Sequence, residues 1–312
     1  MGRSEKLFLL WLVCCFCSLS SACTEECGSY LGAQRLEDGS TVVCEACEDY
    51  RKAKVVRVSP DGSELWSYRY PEADMRFPHS ATWNPDDTLI IADTGRGRII
   101  VVDSYSKQII WNSREVTFSD PEVHFYYTNY ARFLPNGNIL TSLRNGHIVL
   151  EVQLDGQITW SFGEPNIPAK DDTHLNGPHW PQRLANGNTL IPDSWNHRVI
   201  EVNAAGEIVW NYEPTEEPYL LNWPRCSQEL ENGNILITDP HDHFEVTREG
   251  EVVKHFSRPY NTTDWGYAGY GLENGNYLLC GYHRIDELTP EGEIVWTYAP
   301  SWGPPPAPIL IE

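Results

Sequence analysis

Three observations predict an all-β fold, a six-bladed β-propeller of four-stranded antiparallel blades. A turn triplet recurs six times, an aromatic-ended strand follows each copy, and the residues between alternate apolar and polar with almost no helical period. The triplets are Asp38-Gly39-Ser40, Asp86-Asp87-Thr88, Asn136-Gly137-Asn138, Asn186-Gly187-Asn188, Asn232-Gly233-Asn234 and Asn274-Gly275-Asn276, spaced 42 to 50 residues apart. The aromatics that close the copies are Trp66, Trp111, Trp160, Trp210, Phe256 and Trp296.

Each copy reads as four short strands joined by three turns. Asn-Gly is a strong hairpin signal because both central residues of that turn need positive φ, and stretches such as Val199-Ile200-Glu201-Val202 alternate as a strand does. Four strands per copy make a propeller blade, and ring closure leaves only short edges exposed. With strands A to D counted outward from the axis, the Asn-Gly (A to B) and Gly-Glu (C to D) turns lie at the bottom. The D-to-A links and B-to-C loops lie at the top.

The ends of the chain read differently. Arg3 and Lys6 precede an apolar run from Leu7 to Phe16, and small residues Ser20 to Ala22 follow, so residues 1–22 read as a signal peptide too short to span a bilayer. The expected organisation is a leader at 1–22, the propeller at 23–300 and a Pro-rich tail at 301–312. The expected location is secreted, or periplasmic or at the cell surface, with membrane contact only if Cys23 is lipidated.

Charge and cysteines narrow the partners. Against 23 basic residues stand 44 acidic ones, a net charge of −21, which argues against phosphate-backbone binding; no nucleic acid partner is expected. Cys23, Cys27, Cys44 and Cys47 are expected together at the top of blade 1, as disulfides in an oxidising compartment or, by spacing, as a zinc site. Cys226 and Cys280 read as buried small hydrophobes.

What recurs in most blades is scaffold, and a polar residue that varies at one equivalent position is a candidate site. Seven residues before each triplet stand Leu31, His79, Asn129, His179, Arg225 and Tyr267, which open the innermost strands at the top mouth of the tunnel. Two residues earlier, Phe77, Tyr127, Trp223 and Trp265, with Gly177 in blade 4, read as wedges between blades or, with Trp180, as an aromatic wall to a pocket. Arg35, Arg132 and Arg183 read as one recurring scaffold position. Asp93, Asp193 and Asp239 read as caps on the B-to-C turn. The His241-Asp242-His243 triplet is a weak metal signal whose alternation splays the two imidazoles. No nucleotide, dinucleotide, nucleophile-elbow or zinc-protease motif is present, and no cofactor is expected. Asn261-Thr262-Thr263 fits a glycosylation sequon.

The Asn-Gly-Asn-Thr-Leu-Ile-x-Asp, Asn-His-Arg-Val-Ile-Glu-Val and Gly-Glu-Ile-Val-Trp series, over residues 28 to 300, resembles the arylsulfotransferase family of propellers. The resemblance implies sulfuryl transfer from an aryl sulfate to a phenol through a sulfated histidine, without a nucleotide donor. It implies His179 as nucleophile, His79 and Arg225 as oxyanion binders, and Asn129 and Tyr267 as orienting donors, and the aromatic-wall reading adds Trp180 as a substrate-binding residue. Two other readings stay open. One is a non-catalytic propeller that presents its top face to a glycan, peptide or secreted protein; the other is a metal-dependent hydrolase or lyase using His79 and His179 with His241 or His283.

Overall fold

The structure, a computed structural model, describes residues 29–47, 49–125, 127–216, 218–257, 266–299 and 310–311. The leader, Cys23, Cys27, Trp265 and the sequon at Asn261 lie outside the described residues. Six antiparallel sheets are present, each of four strands in chain order, so the chain is an all-β six-bladed propeller. Blade 5 carries a fifth strand: Leu310–Ile311, at the end of the Pro-rich tail, pairs with the outer strand Val252–Ser257. Among the described residues no helix is long and apolar enough to cross a membrane.

The recurring residues hold the blades. In blade 4 the turn amides of Asn186 and Asn188 both donate to the Glu201 carboxylate, at 3.3 and 2.6 Å, and the same pair of bonds recurs at Glu151, Glu245 and Glu287. In blades 3 to 6 the bottom turn is thus pinned to strand C of its own blade by charge-assisted bonds. Blade is tied to blade by the closing tryptophan in four of the six copies. The indole N–H of Trp66, Trp111 and Trp210 donates to a carbonyl on the C-to-D turn of the following blade, at Ser104, Leu154 and Arg248, each at 2.8 Å. Trp296 of blade 6 donates likewise to Pro60 of blade 1 and closes the ring. A second closing bond runs from Arg35 to Glu287 at 2.6 Å, and Arg183 to Glu151 repeats it between blades 4 and 3.

Arg132 does not belong with those arginines. Arg35 pairs in register with Thr41 and Arg183 with Thr189, whereas the blade 3 residue facing the equivalent Ile139 is Phe133. Arg132 is one residue out, and since strand side chains alternate it points to the other face. Its register mates are Gln34, Thr82, Gln182, Gln228 and Tyr270.

The cysteines also depart from expectation. Cys44 is a free, buried thiol whose Sγ donates to the Pro78 carbonyl at 3.3 Å between blades 1 and 2, so a four-cysteine staple or zinc site is not formed. It points into a core of Val42, Val55 and Leu89, where burial raises its pKa well above the usual thiol range. Cys47 is not among the free thiols. Cys226 and Cys280 are free and buried, as small core residues are.

Candidate site at the top mouth

The ring residues are set by backbone bonds to the end of strand B. The amides of His79, His179 and Arg225 donate to the carbonyls of Ala92, Pro192 and Thr238, at 3.0, 3.0 and 2.8 Å. The next residue along strand B in those three blades is Asp93, Asp193 or Asp239. Its carboxylate caps the D-to-A link of its own blade, accepting from the amides of Arg76 (2.8 Å), Asn176 (2.7 Å), or Asn222 and Trp223, and Asp193 also holds the expected B-to-C turn by accepting from the Asn196 side-chain amide at 2.7 Å. In blades 2 and 4 the other oxygen takes Arg98 or Arg198 from strand C. At the corresponding place the other three blades carry Glu45, Leu143 and Gly281, and Glu45 pairs with Lys54 at 3.2 Å and accepts from the Tyr298 phenol of blade 6. Among the described residues the aspartate clamp on the link amides therefore occurs in the blades whose ring residues are His79, His179 and Arg225.

Both histidines are neutral and present the same edge to the mouth. Nδ1 of His79 lies 3.3 Å from the Phe77 carbonyl and Nδ1 of His179 lies 3.0 Å from the Gly177 carbonyl. A carbonyl only accepts, so Nδ1 carries the proton and each Nε2 keeps its lone pair. Burial pushes the His79 pKa down to about 3, with Arg144 as the next cause, and the His179 pKa falls well below its usual value for the same reasons. Ser194 adds a second partner to His179: its Oγ sits 2.7 Å from Nδ1 and donates to the Pro224 carbonyl of the next blade.

Ser194 also identifies Arg144, a residue that counting the strand A ring alone leaves out. The position just after strand B holds Thr94 in blade 2, whose hydroxyl donates to the Thr128 carbonyl of the next blade as Ser194 does to Pro224. In blade 3 that blade-to-blade latch is replaced by Arg144. Its guanidinium lies 4.9 Å from the Trp195 ring, 5.3 Å from Trp223 and 5.7 Å from Tyr127. Among the described residues it has no carboxylate partner, and burial and then Arg225 bring its pKa down to about 10. Arg225 is buried between the rings of Trp223, at 4.2 Å, and Tyr267, at 4.0 Å.

The remaining residues complete the rim and the floor. Asn129 is 0% exposed, and among the described residues neither its side-chain nitrogen nor its side-chain oxygen has a hydrogen-bond partner. Tyr267 donates its phenol to Tyr282 at 3.0 Å. Leu31 is buried and apolar. Phe77 and Trp223 touch the ring residues, Phe77 at 5.1 Å from His79 and Trp223 at 5.7 Å from His179, while Tyr127 meets Arg144. Phe77 and Tyr127 sit at φ of 49° and 52°, a conformation costly for an L residue and held here beside His79 and Arg144 respectively. Gly177 takes the same turn in blade 4, where any side chain would meet the Trp195 ring. Trp180 is floor and not wall: buried, it reaches from blade 4 across the axis to blade 1, where a Cβ on Gly32 would overlap its ring.

His241, Asp242 and His243 diverge as strand alternation requires. His243 Nδ1 lies 3.1 Å from Thr238 Oγ1 in the core, and Asp242 pairs with His255 at 2.7 Å. Among the described residues no group of three or more His, Cys, Asp or Glu could hold a metal ion, so His79 and His179 are not joined there by His241 or His283.

No protein-family model matches the sequence, and no curated protein matches it. Solved structures do match in fold. Virginiamycin B lyase from Staphylococcus aureus aligns with a TM-score of 0.60 at 15% identity, over 90% of this chain and 87% of that one. A streptogramin B lyase aligns at 0.61 and 14%, over 89% and 84%, and a protein of unknown function from Bacteroides caccae at 0.58 and 17%, over 79% and 89%. At these identities the likeness is one of fold.

Proposed function

We propose that the top mouth binds the anionic group of an aryl ester, an aryl sulfate in the first instance, and transfers its sulfuryl group to a phenol through His179. The observation that carries this reading is the Arg144 guanidinium, with no carboxylate partner, next to Arg225 and two neutral histidines in a protein of net charge −21. A local cation pair in an acidic protein selects an anion at that one place. The aromatic walls, Trp223, Tyr127 and Trp195, suit the aryl body.

The chemistry follows from the lone pairs. His179 Nε2 attacks sulfur, the S–O bond to the aryl group breaks, and the phenolate leaves to be protonated by solvent. An acceptor phenol then loses its proton to solvent as its oxygen attacks sulfur and the N–S bond breaks. Arg144, Arg225 and the amide of Asn129 hold the sulfuryl oxygens as charge grows on them, and His79 stands beside them as a further lone pair and orienting group. The resemblance of the repeat to arylsulfotransferases supports the same reading. The lyase activity of the fold neighbours belongs to those proteins.

The test is nitrophenol release from 4-nitrophenyl sulfate with and without a phenol acceptor, for wild type, His179→Ala and His79→Ala, each checked for folding. Acceptor-dependent release abolished in His179→Ala and reduced in His79→Ala is the expected result. Saturable binding without release replaces the enzyme by an anion-binding propeller, and abolition in His79→Ala alone moves the nucleophile.

A further inference from the structure

The opposite end of the tunnel holds a second departure from the repeat. At the register position shared by Gln34, Thr82, Arg132, Gln182, Gln228 and Tyr270, the glutamines are clamps to the next blade. Gln34 accepts from the Trp83 amide at 2.7 Å and donates to its carbonyl at 3.2 Å; Gln182 accepts from Glu229, and Gln228 from Gly271. Arg132 gives that clamp up.

Its guanidinium donates to the Tyr130 phenol of its own strand, and no bond to the next blade replaces the clamp among the described residues. The carboxylates that pair with Arg35, Arg183 and Arg248 come from strand C of neighbouring blades, at Glu287, Glu151 and Glu201. Blade 2 has Val101 at that place, as its pairing with Trp111 shows. Among the described residues Arg132 makes no ion pair. It lines a cavity of about 540 Å³ open at the bottom mouth, together with Thr82, Tyr130, Trp180, Gln228 and Tyr270. That size holds a small molecule.

We propose that this cavity is a second ligand site, separate from the top mouth and specific for a small aromatic monocarboxylate. Arg132 supplies a fork of N–H donors that matches a carboxylate bidentately. Tyr130 and Tyr270 flank Trp180 at centroid distances of 5.2 and 6.2 Å and offer ring faces and edges to a flat body. The cavity's other charges limit the ligand to one negative charge: Arg35 and Glu287 neutralise each other, and Glu37 and Glu273 stand exposed on the rim. The Trp180 indole that roofs this cavity is the floor of the upper site, so the two ligands do not compete for space.

Isothermal titration of 4-nitrobenzoate into wild type, Arg132→Gln and Arg144→Gln tests the assignment. Arg132→Gln installs the residue of three other blades, with the Arg183 backbone of blade 4 at the position its clamp would take, so the fold is expected to hold and the melting temperature not to fall. Binding weakened about tenfold or more by Arg132→Gln, and less than about twofold by Arg144→Gln, supports the site. Two binding events in wild type, one lost in each variant, support it equally. No binding to wild type, binding unchanged in Arg132→Gln, or binding lost only in Arg144→Gln overturns it. Should Arg132→Gln melt lower than wild type, Arg132→Lys decides by the same readout: weakened binding in a folded protein supports the bidentate contact, and unchanged binding overturns it.

Discussion

Blades 3 and 4 are neighbours with nearly the same turn and the same pinned carboxylate, yet they serve different ends. Blade 4 keeps the hydroxyl latch at Ser194, the carboxylate clamp at Asp193 and the glutamine bridge at Gln182. Blade 3 has Arg144, Leu143 and Arg132 at those three places. One blade is a fully braced mount for a single histidine. The other gives up its bracing and gains two guanidiniums, one at each mouth of the tunnel. In a repeat protein the cost of such departures is spread over a ring whose other contacts are retained, so one blade can be spent on charge while its neighbours hold the geometry.

The comparison can be broken first at the clamp. Asp193→Ala leaves Arg198 buried without its carboxylate and frees the Asn176 amide, so denaturant unfolding is expected to show a loss of about 3–5 kcal/mol. A loss under about 1 kcal/mol would mean that the carboxylate does not brace blade 4. Next comes Arg144. Arg144→Gln is expected to lower turnover of 4-nitrophenyl sulfate about 10²-fold with folding intact, since a donor to the developing charge is gone. Arg144→Ser sharpens the point: it gives blade 3 the hydroxyl of blade 4, so activity is lost while stability rises by up to about 1 kcal/mol. The reverse change, Ser194→Ala, is expected to cost about 1 kcal/mol.

The smallest effect is one of pH. Blade 5 has Asp239 at the clamp position, but Asp242 stands where Arg198 does in blade 4, and burial raises the Asp239 pKa from 3.8 to about 7. The folded state holds this proton more tightly than the unfolded chain, so Asp239 contributes stability at low pH that is lost as pH rises from about 4 through about 7. Melting temperatures of wild type and Asp239→Asn are therefore expected to diverge over that window, with the variant gaining. Parallel curves would show that Asp239 ionises normally. His79 works in the opposite sense: with its pKa lowered from 6.5 to about 3, the stability it contributes is lost as pH falls through that range.

The blade repeat was legible because turns and closing tryptophans must recur to pin each blade and tie it to the next. The residues at the top mouth were legible too, since six equivalent positions with five different side chains stand out against that regularity. Arg144 was not singled out, although the same comparison made just after strand B, through Thr94, Arg144 and Ser194, would have found it. Arg132 was placed one residue out of register, and in a strand a one-residue slip exchanges the two faces, so a tunnel residue passed for scaffold. The aspartates were assigned to the nearest turn because a local cap is what sequence distance suggests; Asp193 does take Asn196 of that turn, but the backbone amides that all three bind lie 16 or 17 residues back. Cys44 obeyed strand alternation and the core beneath it, which cysteine spacing does not report.

The indole that crosses from blade 4 to Gly32 stands between the bottom cavity and the ring of the top mouth. If the proposed transfer takes place there and Trp180 bars the way down, a departing phenol vacates the mouth before an acceptor takes its place. A covalent transfer in such a chamber runs as two alternating half-reactions, and its initial-rate plots against donor and acceptor would be parallel lines.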